Sequence, residues 1–180
     1  MTPKTELRQE IRSQLESTPP EARRLASHTI NETLANWIKE TRPRAVGAFY
    51  PLRYEPNILP TLQLLIKKSK LLLPRMANGA LVFHEVQDLE IETIPGPFGT
   101  QEPNPTLPVP NLVYLDAILV PGVAFTAAGA RLGRGGGFYD RLLEKIRPEM
   151  PRIGIAFASQ IVEELPLEPH DEKVSRVVWA

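Results

Sequence analysis

Proline placement does most to limit the folds open to this chain. Proline lacks the amide proton that helix interiors and central strands require, and its ring fixes φ. Six of the 19 prolines fall between Pro95 and Pro110, so that stretch is neither a helix nor a central strand. It must cross the surface as an ordered loop, and long loops in compact domains tend to be functional. The 19 prolines and 11 glycines together are about a sixth of the 180 residues, below the roughly 25–30% that signals disorder.

Between the prolines the apolar period alternates. Leu7, Ile11 and Leu15 recur every fourth residue and predict a helix over 3–16. Thr18-Pro19-Pro20-Glu21 has a capping-box pattern with prolines in the first turn. It opens a second helix carrying Leu25, Ile30, Leu34, Trp37 and Ile38, which Pro43 stops. The short apolar run 45–50, closed by Pro51, reads as a buried strand. Helical segments at 58–68 and 138–146 and a short helix at 160–165 are interleaved with strands at 71–74, 80–86, 116–121, 152–158 and 173–179. The strand at 80–86 follows its predecessor so closely that it is antiparallel or at an edge. Alternation of this kind predicts an α/β fold: one domain over 1–180, a Rossmann-like mixed sheet with helices on both faces.

Composition removes several function classes. The absence of cysteine excludes disulfides, a thiol nucleophile and Cys-ligated zinc or iron–sulfur centres. His28, His84 and His170 are too scattered for a zinc site. Twenty-one basic residues balance 21 acidic ones, which argues against bulk electrostatic binding to nucleic acid or a membrane. The Lys67-Lys68-Ser69-Lys70 cluster fits a helix C-terminus offsetting its dipole better than an RNA-binding patch. No apolar run nears the ~18 residues of a membrane span, and the N-terminus has no apolar signal core. The expectation is a cytoplasmic protein, monomer or weak dimer, acting on small molecules.

Five of the 11 glycines lie between Gly129 and Gly137, where a strand ends and a helix begins. A glycine turn entering a helix offers unpaired amides and a positive dipole end to an anion, and Arg131 and Arg134 add cations. The spacing matches neither the Walker loop nor the dinucleotide fingerprint. Two readings stand: a phosphate cradle, or glycines that only ease a turn. Asp140, in the first helical turn, either compensates the dipole or ligates magnesium beside a nucleotide. Lys4, Arg8 and Arg12 line one helix face, which suits a polyphosphate, although on the residues alone a solvated basic face is the favoured reading.

The segment Arg131-Leu132-Gly133-Arg134-Gly135-Gly136-Gly137-Phe138-Tyr139-Asp140 resembles the signature of the 5-formyltetrahydrofolate cyclo-ligase family, also called methenyltetrahydrofolate synthetase. Pro121-Gly122 precedes it as in the family. Three further segments match in order: Lys4-x-x-Leu7-Arg8-x-x-x-Arg12, Tyr50-Pro51-Leu52-Arg53-Tyr54-Glu55-Pro56-Asn57, and Leu73-Pro74-Arg75 followed by Gly96-Pro97-Phe98-Gly99. The resemblance implies that Lys4, Arg8, Arg12 and the segment Arg131, Leu132, Gly133, Arg134, Gly135, Gly136, Gly137, Phe138 and Tyr139 bind ATP. It implies that Tyr50, Glu55, Arg75 and Phe98, with Arg134, Gly135, Gly136, Gly137 and Phe138, bind the folate. Asp140 and Asp171 are implied to hold Mg²⁺, with Arg134 and Lys4 in catalytic roles. On the residues alone, Glu55 also reads as a helix-start acid and Phe98 as an anchor of the loop on the core. Thr126 and Ser175 depart from the family pattern, which has Asp at both, and the chain ends Val178-Trp179-Ala180 where the family has Thr-Glu.

The implied reaction is the ATP-dependent closure of 5-formyltetrahydrofolate to 5,10-methenyltetrahydrofolate, with release of ADP and phosphate. It needs no protein nucleophile, in keeping with a cysteine-free chain that shows no Ser–His–Asp set. The alternative is a paralogue that binds nucleotide or folate without this catalysis, or with a shifted substrate.

Overall fold

The computed structural model describes residues 2–180, apart from the side chain of Phe98. The helices are α1 (Pro3–Ser17), α2 (Pro20–Thr41), α3 (Leu59–Lys68) and α4 (Phe138–Leu143). The strands are β1 (Ala45–Gly47), β2 (Lys70–Ala77), β3 (Ala80–Val86), β4 (Thr93–Pro95), β5 (Gln101–Pro103), β6 (Ala117–Pro121), β7 (Ala124–Phe125), β8 (Arg131–Leu132), β9 (Arg152–Ala156) and β10 (Arg176–Trp179). Six of them form one sheet in the order β10-β9-β6-β1-β2-β3. Its pairings are parallel except that of β3, the antiparallel edge strand.

Successive strand residues face opposite sides of a sheet, so a strand buried on both faces is apolar throughout. Leu71, Leu73, Val46, Leu119 and Ile153 point to one face, where Ile30, Leu34 and Ile38 of α2 and Leu62 and Leu65 of α3 cover them. Leu72, Ile118 and Val120 point to the other, under Leu142 and Leu143 of α4 with Phe125 and Met150. Burial of each such side chain contributes roughly 1.5–3 kcal/mol. The α1 stripe lies outside both layers. Ile11 and Leu15 are buried against Ala124, Leu132 and Phe157, which sets α1 across the β7–β8 hairpin. No helix among the described residues is long and apolar enough to cross a membrane.

The proline-dense loop is ordered as expected, and it contains a small hairpin. β4 pairs antiparallel with β5 away from the main sheet, and Pro97–Gly99 forms a single 3-10 turn at the tip. The chain then runs along the outer edge of β3. There the Glu85 amide donates to the Pro108 carbonyl at 3.0 Å and buried His84 donates from Nδ1 to Leu107 at 2.9 Å. An exposed sheet edge is thereby partly covered.

Several expected elements are corrected. Thr18 does not cap α2: it ends α1, its hydroxyl donating to the Gln14 carbonyl at 2.8 Å. The first strand stops at Gly47 rather than residue 50, as the chain turns off the sheet after the Ala48 amide bonds Leu72. Residues 161–165 are not helical. A 3-10 turn at Ala158–Gln160 is followed by chain that bridges to β7 at Phe125, where tertiary pairing overrides a weak helical pattern. α4 ends at Leu143, three residues early, the Lys145 amide tightening onto Leu142 before Pro148. The last strand begins at Arg176, three residues late.

Asp116 ties the entries of β1 and β6 together. Its carboxylate accepts from the Arg44 amide at 2.6 Å and lies 3.2 Å from the Arg44 guanidinium. The Arg44 side chain, and after it the Arg44 and Ala45 amides, holds this carboxyl below its ordinary 3.8 despite partial burial. A carboxyl with a lowered folded pKa stabilises above its unfolded pKa, and that contribution fades as pH falls through the folded value. Asp116→Asn is expected to lose about 1 kcal/mol or more at pH 7 and to approach the parent below pH ~3. Urea unfolding at both pH values checks this, and an equal gap at the two would contradict it.

Candidate active site

β1 and β6 are neighbours, yet their chains leave in opposite directions: β1 crosses to β2 through α3 on one face, β6 to β9 through α4 on the other. The loops diverge beyond the carboxyl ends and leave a crevice, where open α/β sheets place ligands. Residues 48–57 enter it from β1. The Pro121-Gly122 turn, the β7–β8 hairpin and the glycine loop enter from β6.

The glycine loop stands on a buried cation. Arg131 is 2% exposed. Its Nη2 lies 2.5 Å from Asp140 Oδ1, and its Nη1 reaches toward the Pro121 carbonyl at 3.5 Å. Strand end, loop and helix start are thus tied to one side chain. Gly135 has φ 103° and Gly137, the residue before α4, φ 65°, conformations that L side chains rarely adopt. A Cβ on Gly137 would also sit 2.7 Å from Arg141 Nη1. The amides of residues 133–137 donate to no group among the described residues, so they are available to an anion. Buried Gln160 holds the turn below, donating to the Gly122 and Val123 carbonyls at 2.9 and 3.0 Å.

Of the three cations on α1, Arg8 reaches this loop and Lys4 reaches the 168–171 segment. Arg8 Nε donates to the Gly133 carbonyl at 2.8 Å. Lys4 Nζ lies 2.6 Å from Glu168 and 2.7 Å from Asp171. Burial alone would lower the Lys4 pKa, but hydrogen bonds to the two acids outweigh it and hold it above its ordinary 10.5. Arg12 is not gathered in: it is exposed and pairs along the helix with Glu16 at 2.8 Å.

From β1, Glu55 is buried, with one carboxylate oxygen accepting from the Leu52 amide at 2.9 Å. The other accepts from Arg134 Nη2 at 2.9 Å. Tyr139 is half-buried nearby, with its hydroxyl turned inside and without a partner among the described residues. Burial, then the Glu55 charge, pushes its pKa far up, so this phenol stays neutral. Tyr50 is half-buried, its carbonyl 3.4 Å from the Thr100 hydroxyl at the tip of the β4–β5 hairpin. Arg75 anchors that hairpin, 3.3 Å from both the Pro103 carbonyl and the buried Glu102 carboxylate. The hairpin therefore overhangs the crevice, with Phe98 in its tip turn. The Phe98 side chain lies outside the described residues.

Asp140 and Asp171 approach from opposite directions and are joined by the chain: the Glu172 amide donates to Asp140 Oδ1 at 3.3 Å. Neither is a bare acid. Asp140 faces Arg131. Asp171, whose pKa burial would raise, is held below the ordinary 3.8 by Lys4 and the Glu168 amide. Glu168 and Asp171, which cluster with His170, already hold the Lys4 ammonium between them. One oxygen of each aspartate, Asp140 Oδ2 and Asp171 Oδ1, carries no hydrogen bond among the described residues. These are hard oxygen donors of the kind Mg²⁺ takes.

Comparison with known proteins now decides the kinship. The family model described as "5-formyltetrahydrofolate cyclo-ligase family" matches residues 1–180. The chain belongs to the 5-formyltetrahydrofolate cyclo-ligase family. It is 33% identical to a Mycolicibacterium smegmatis 5-formyltetrahydrofolate cyclo-ligase over 82% of this chain and 80% of that one. It is 27% identical to the Saccharomyces cerevisiae protein of the same name over 99% and 95%. The solved structure of Aquifex aeolicus 5,10-methenyltetrahydrofolate synthetase superposes with a TM-score of 0.87 at 29% identity, covering 99% of this chain and 90% of that one.

As a cyclo-ligase family member the chain keeps its turns intact at the two departures. The Thr126 hydroxyl accepts from the Ala130 amide at 3.1 Å, closing the β7–β8 turn. The Ser175 hydroxyl accepts from the Arg152 amide at 3.0 Å, joining β9 to β10. Other supporting residues were missed by sequence reasoning: Glu102 under Arg75, Glu168 on Lys4, and Gln160 under Gly122. Gln160 is 1% exposed, but a lone glutamine in a loop carries no periodic signal. Glu168 stands three residues before Asp171 and could have been read with it.

The buried Arg131–Asp140 pair generates a stability expectation. Arg131→Met should cost about 3–5 kcal/mol, since it leaves a partly buried carboxylate unpaired. Adding Asp140→Leu should recover part of that loss. Urea unfolding of both variants measures it, and a silent single variant would show that the pair is not the loop's support.

Proposed function

We propose that the protein is a 5-formyltetrahydrofolate cyclo-ligase, using ATP to convert 5-formyltetrahydrofolate to 5,10-methenyltetrahydrofolate with release of ADP and phosphate. One observation carries the assignment of the crevice. Arg134 belongs to the glycine loop yet contacts Glu55, 2.9 Å away, so the anion cradle and the buried carboxylate meet at a single side chain. A reaction joining a phosphate to a folate formyl group needs that meeting.

The formyl oxygen, made nucleophilic by the 5-nitrogen lone pair, attacks the γ-phosphorus, and the bond to the ADP oxygen breaks. The 10-nitrogen then adds to the formyl carbon, loses its proton to water, and phosphate departs as the ring closes. Protein catalysis of such a sequence is positioning and charge stabilisation. The amides of residues 133–137, Lys4, Arg8 and Arg134 hold the phosphate oxygens. Arg12, paired outward with Glu16, stands apart and contributes long-range charge to the nucleotide. Glu55 presents its carboxylate to the paired donors of the pterin ring, a match of two acceptors to two donors. Tyr50 and Arg75 would wall the ring, with Phe98 carried on the neighbouring tip turn.

Glu55 and the pterin cannot pair fully while Arg134 occupies one oxygen. Folate binding releases the guanidinium, and at 57% exposure it is free to swing to the transferring phosphoryl group. Asp140 and Asp171 would hold Mg²⁺ through their unbonded oxygens, and when bound the ion supplies neutralisation of phosphate charge.

Absorbance of the methenyl product, with ATP and magnesium supplied, tests the reaction. Arg134→Ala should lower kcat/KM by about 30- to 1,000-fold, the weight of one preorganised charge contact. Unchanged turnover in that variant would remove Arg134 from the chemistry. A wild-type protein that ATP stabilises but that forms no product would favour the non-catalytic paralogue.

A further inference from the structure

β1 ends at Gly47, so past Leu72 the strand β2 has no partner strand on its β1 side. Backbone groups along a strand face its two edges in alternation. The Lys70 amide bonds the Arg44 carbonyl at 2.8 Å on the β1 side, which places Pro74 and Met76 on that same edge. Pro74 has no amide proton to satisfy. Met76 has one, and Glu102 of β5 accepts it at 3.2 Å. The Glu102 carboxylate thus stands where a strand carbonyl would, and a bare stretch of sheet edge is covered.

A neutral amide could fill that role, so the charge has a second use. The other Glu102 oxygen lies 3.3 Å from Arg75 Nη1, and the same nitrogen donates to the Pro103 carbonyl at 3.3 Å. Glu102 is 6% exposed, and a shielded pair keeps more of its strength than one in open water. Arg75 Nε and Nη2 carry no hydrogen bond among the described residues, so the fork is gripped by one nitrogen only. Gly96 makes room for the clasp. A Cβ there would sit 2.5 Å from Glu102 Cγ and 2.9 Å from its Cδ. Gly96 stands just before the Pro97–Gly99 tip turn, its amide donating to the Thr100 carbonyl at 3.0 Å. One carboxylate ties together β2, Arg75 and the tip of the β4–β5 hairpin.

We propose that Glu102 is a positioning residue for the folate. Without touching the substrate, it aims the Arg75 guanidinium at the ring and seats the hairpin over the crevice. The inference rests on the cyclo-ligase reading above. The described partners of Glu102 all lie on β2 and within the hairpin. They stand apart from the glycine loop and the α1 cations, which take the phosphates in that reading. Loss of the Glu102 charge therefore weakens the folate and spares the nucleotide.

Steady-state kinetics on the full chain, read by the methenyl product with each substrate varied in turn, test this. Glu102→Gln keeps an acceptor for the Met76 amide but removes the charge facing Arg75. It should raise the folate KM about five- to fiftyfold, the weight of one charged hydrogen bond. The ATP KM and kcat should stay within about twofold, as for a loss of uniform binding. Gly96→Ala pushes the carboxylate aside without removing it and should shift the folate KM in the same direction, so the outcome does not hinge on one variant folding. In an Arg75→Met background Glu102→Gln should add little, because its effect runs through the guanidinium. Equal rises in both KM values, a folate KM unchanged in both variants, or a full Glu102→Gln effect on top of Arg75→Met overturns the assignment. A wild type that forms no methenyl product sinks the cyclo-ligase reading itself, a result distinct from those three.

Discussion

A guanidinium buried beneath a loop of four glycines is costly to place, because its desolvation must be offset by a partner of good geometry. Arg131 meets that condition through Asp140, and the consequences spread outward. The ion pair fixes β8 relative to the first turn of α4, so the glycines between them form a defined arch rather than a free tether. The same arch leaves its amides without internal partners. Only a structure already secured from below can leave five consecutive amides unspent for a ligand.

The cations around that arch share a second trait: each is held in advance by a group it could exchange for a ligand. Lys4 rests between Asp171 and Glu168, Arg8 on the Gly133 carbonyl, and Arg134 on Glu55. Such pairs lower the entropy lost on binding, since the side chains are already directed into the crevice. Exchange also links the two ligands. In the proposed reaction, whatever takes Glu55 would free Arg134 for phosphate, and whatever takes Arg134 would bare Glu55 for the ring.

Much of this was legible in the sequence. Strand runs such as Leu71–Leu73 and Ile118–Val120 are apolar at every position because both sheet faces are covered, and the proline-dense segment could not join that sheet. The glycine loop, Glu55, Lys4 and Arg8 were visible as chemistry in the right order along the chain. Illegible were the contacts that depend on two distant segments meeting. Arg131 read as a phosphate cation, yet folding buries it and assigns it to Asp140. Arg12 read as the third member of a basic face, but α1 turns it toward Glu16. The residues at 161–165 failed for the converse reason, a helical pattern yielding to a bridge with Phe125 whose partner lies 36 positions away in sequence.

The phase of α4 is where these strands of reasoning join. Gly137, held at positive φ, starts the helix, and the residues after it divide by angle. Asp140 turns inward to Arg131 beneath the arch, whereas Phe138 and Arg141 turn toward a neighbouring cleft at the tip of the β2–β3 hairpin. A helix of six residues is too short to be stable alone, so its direction is set by Leu142 and Leu143 against the sheet and by the ion pair at its head. Any change that slackens that pair shifts both surfaces together. The crevice and the neighbouring cleft are two faces of one short element.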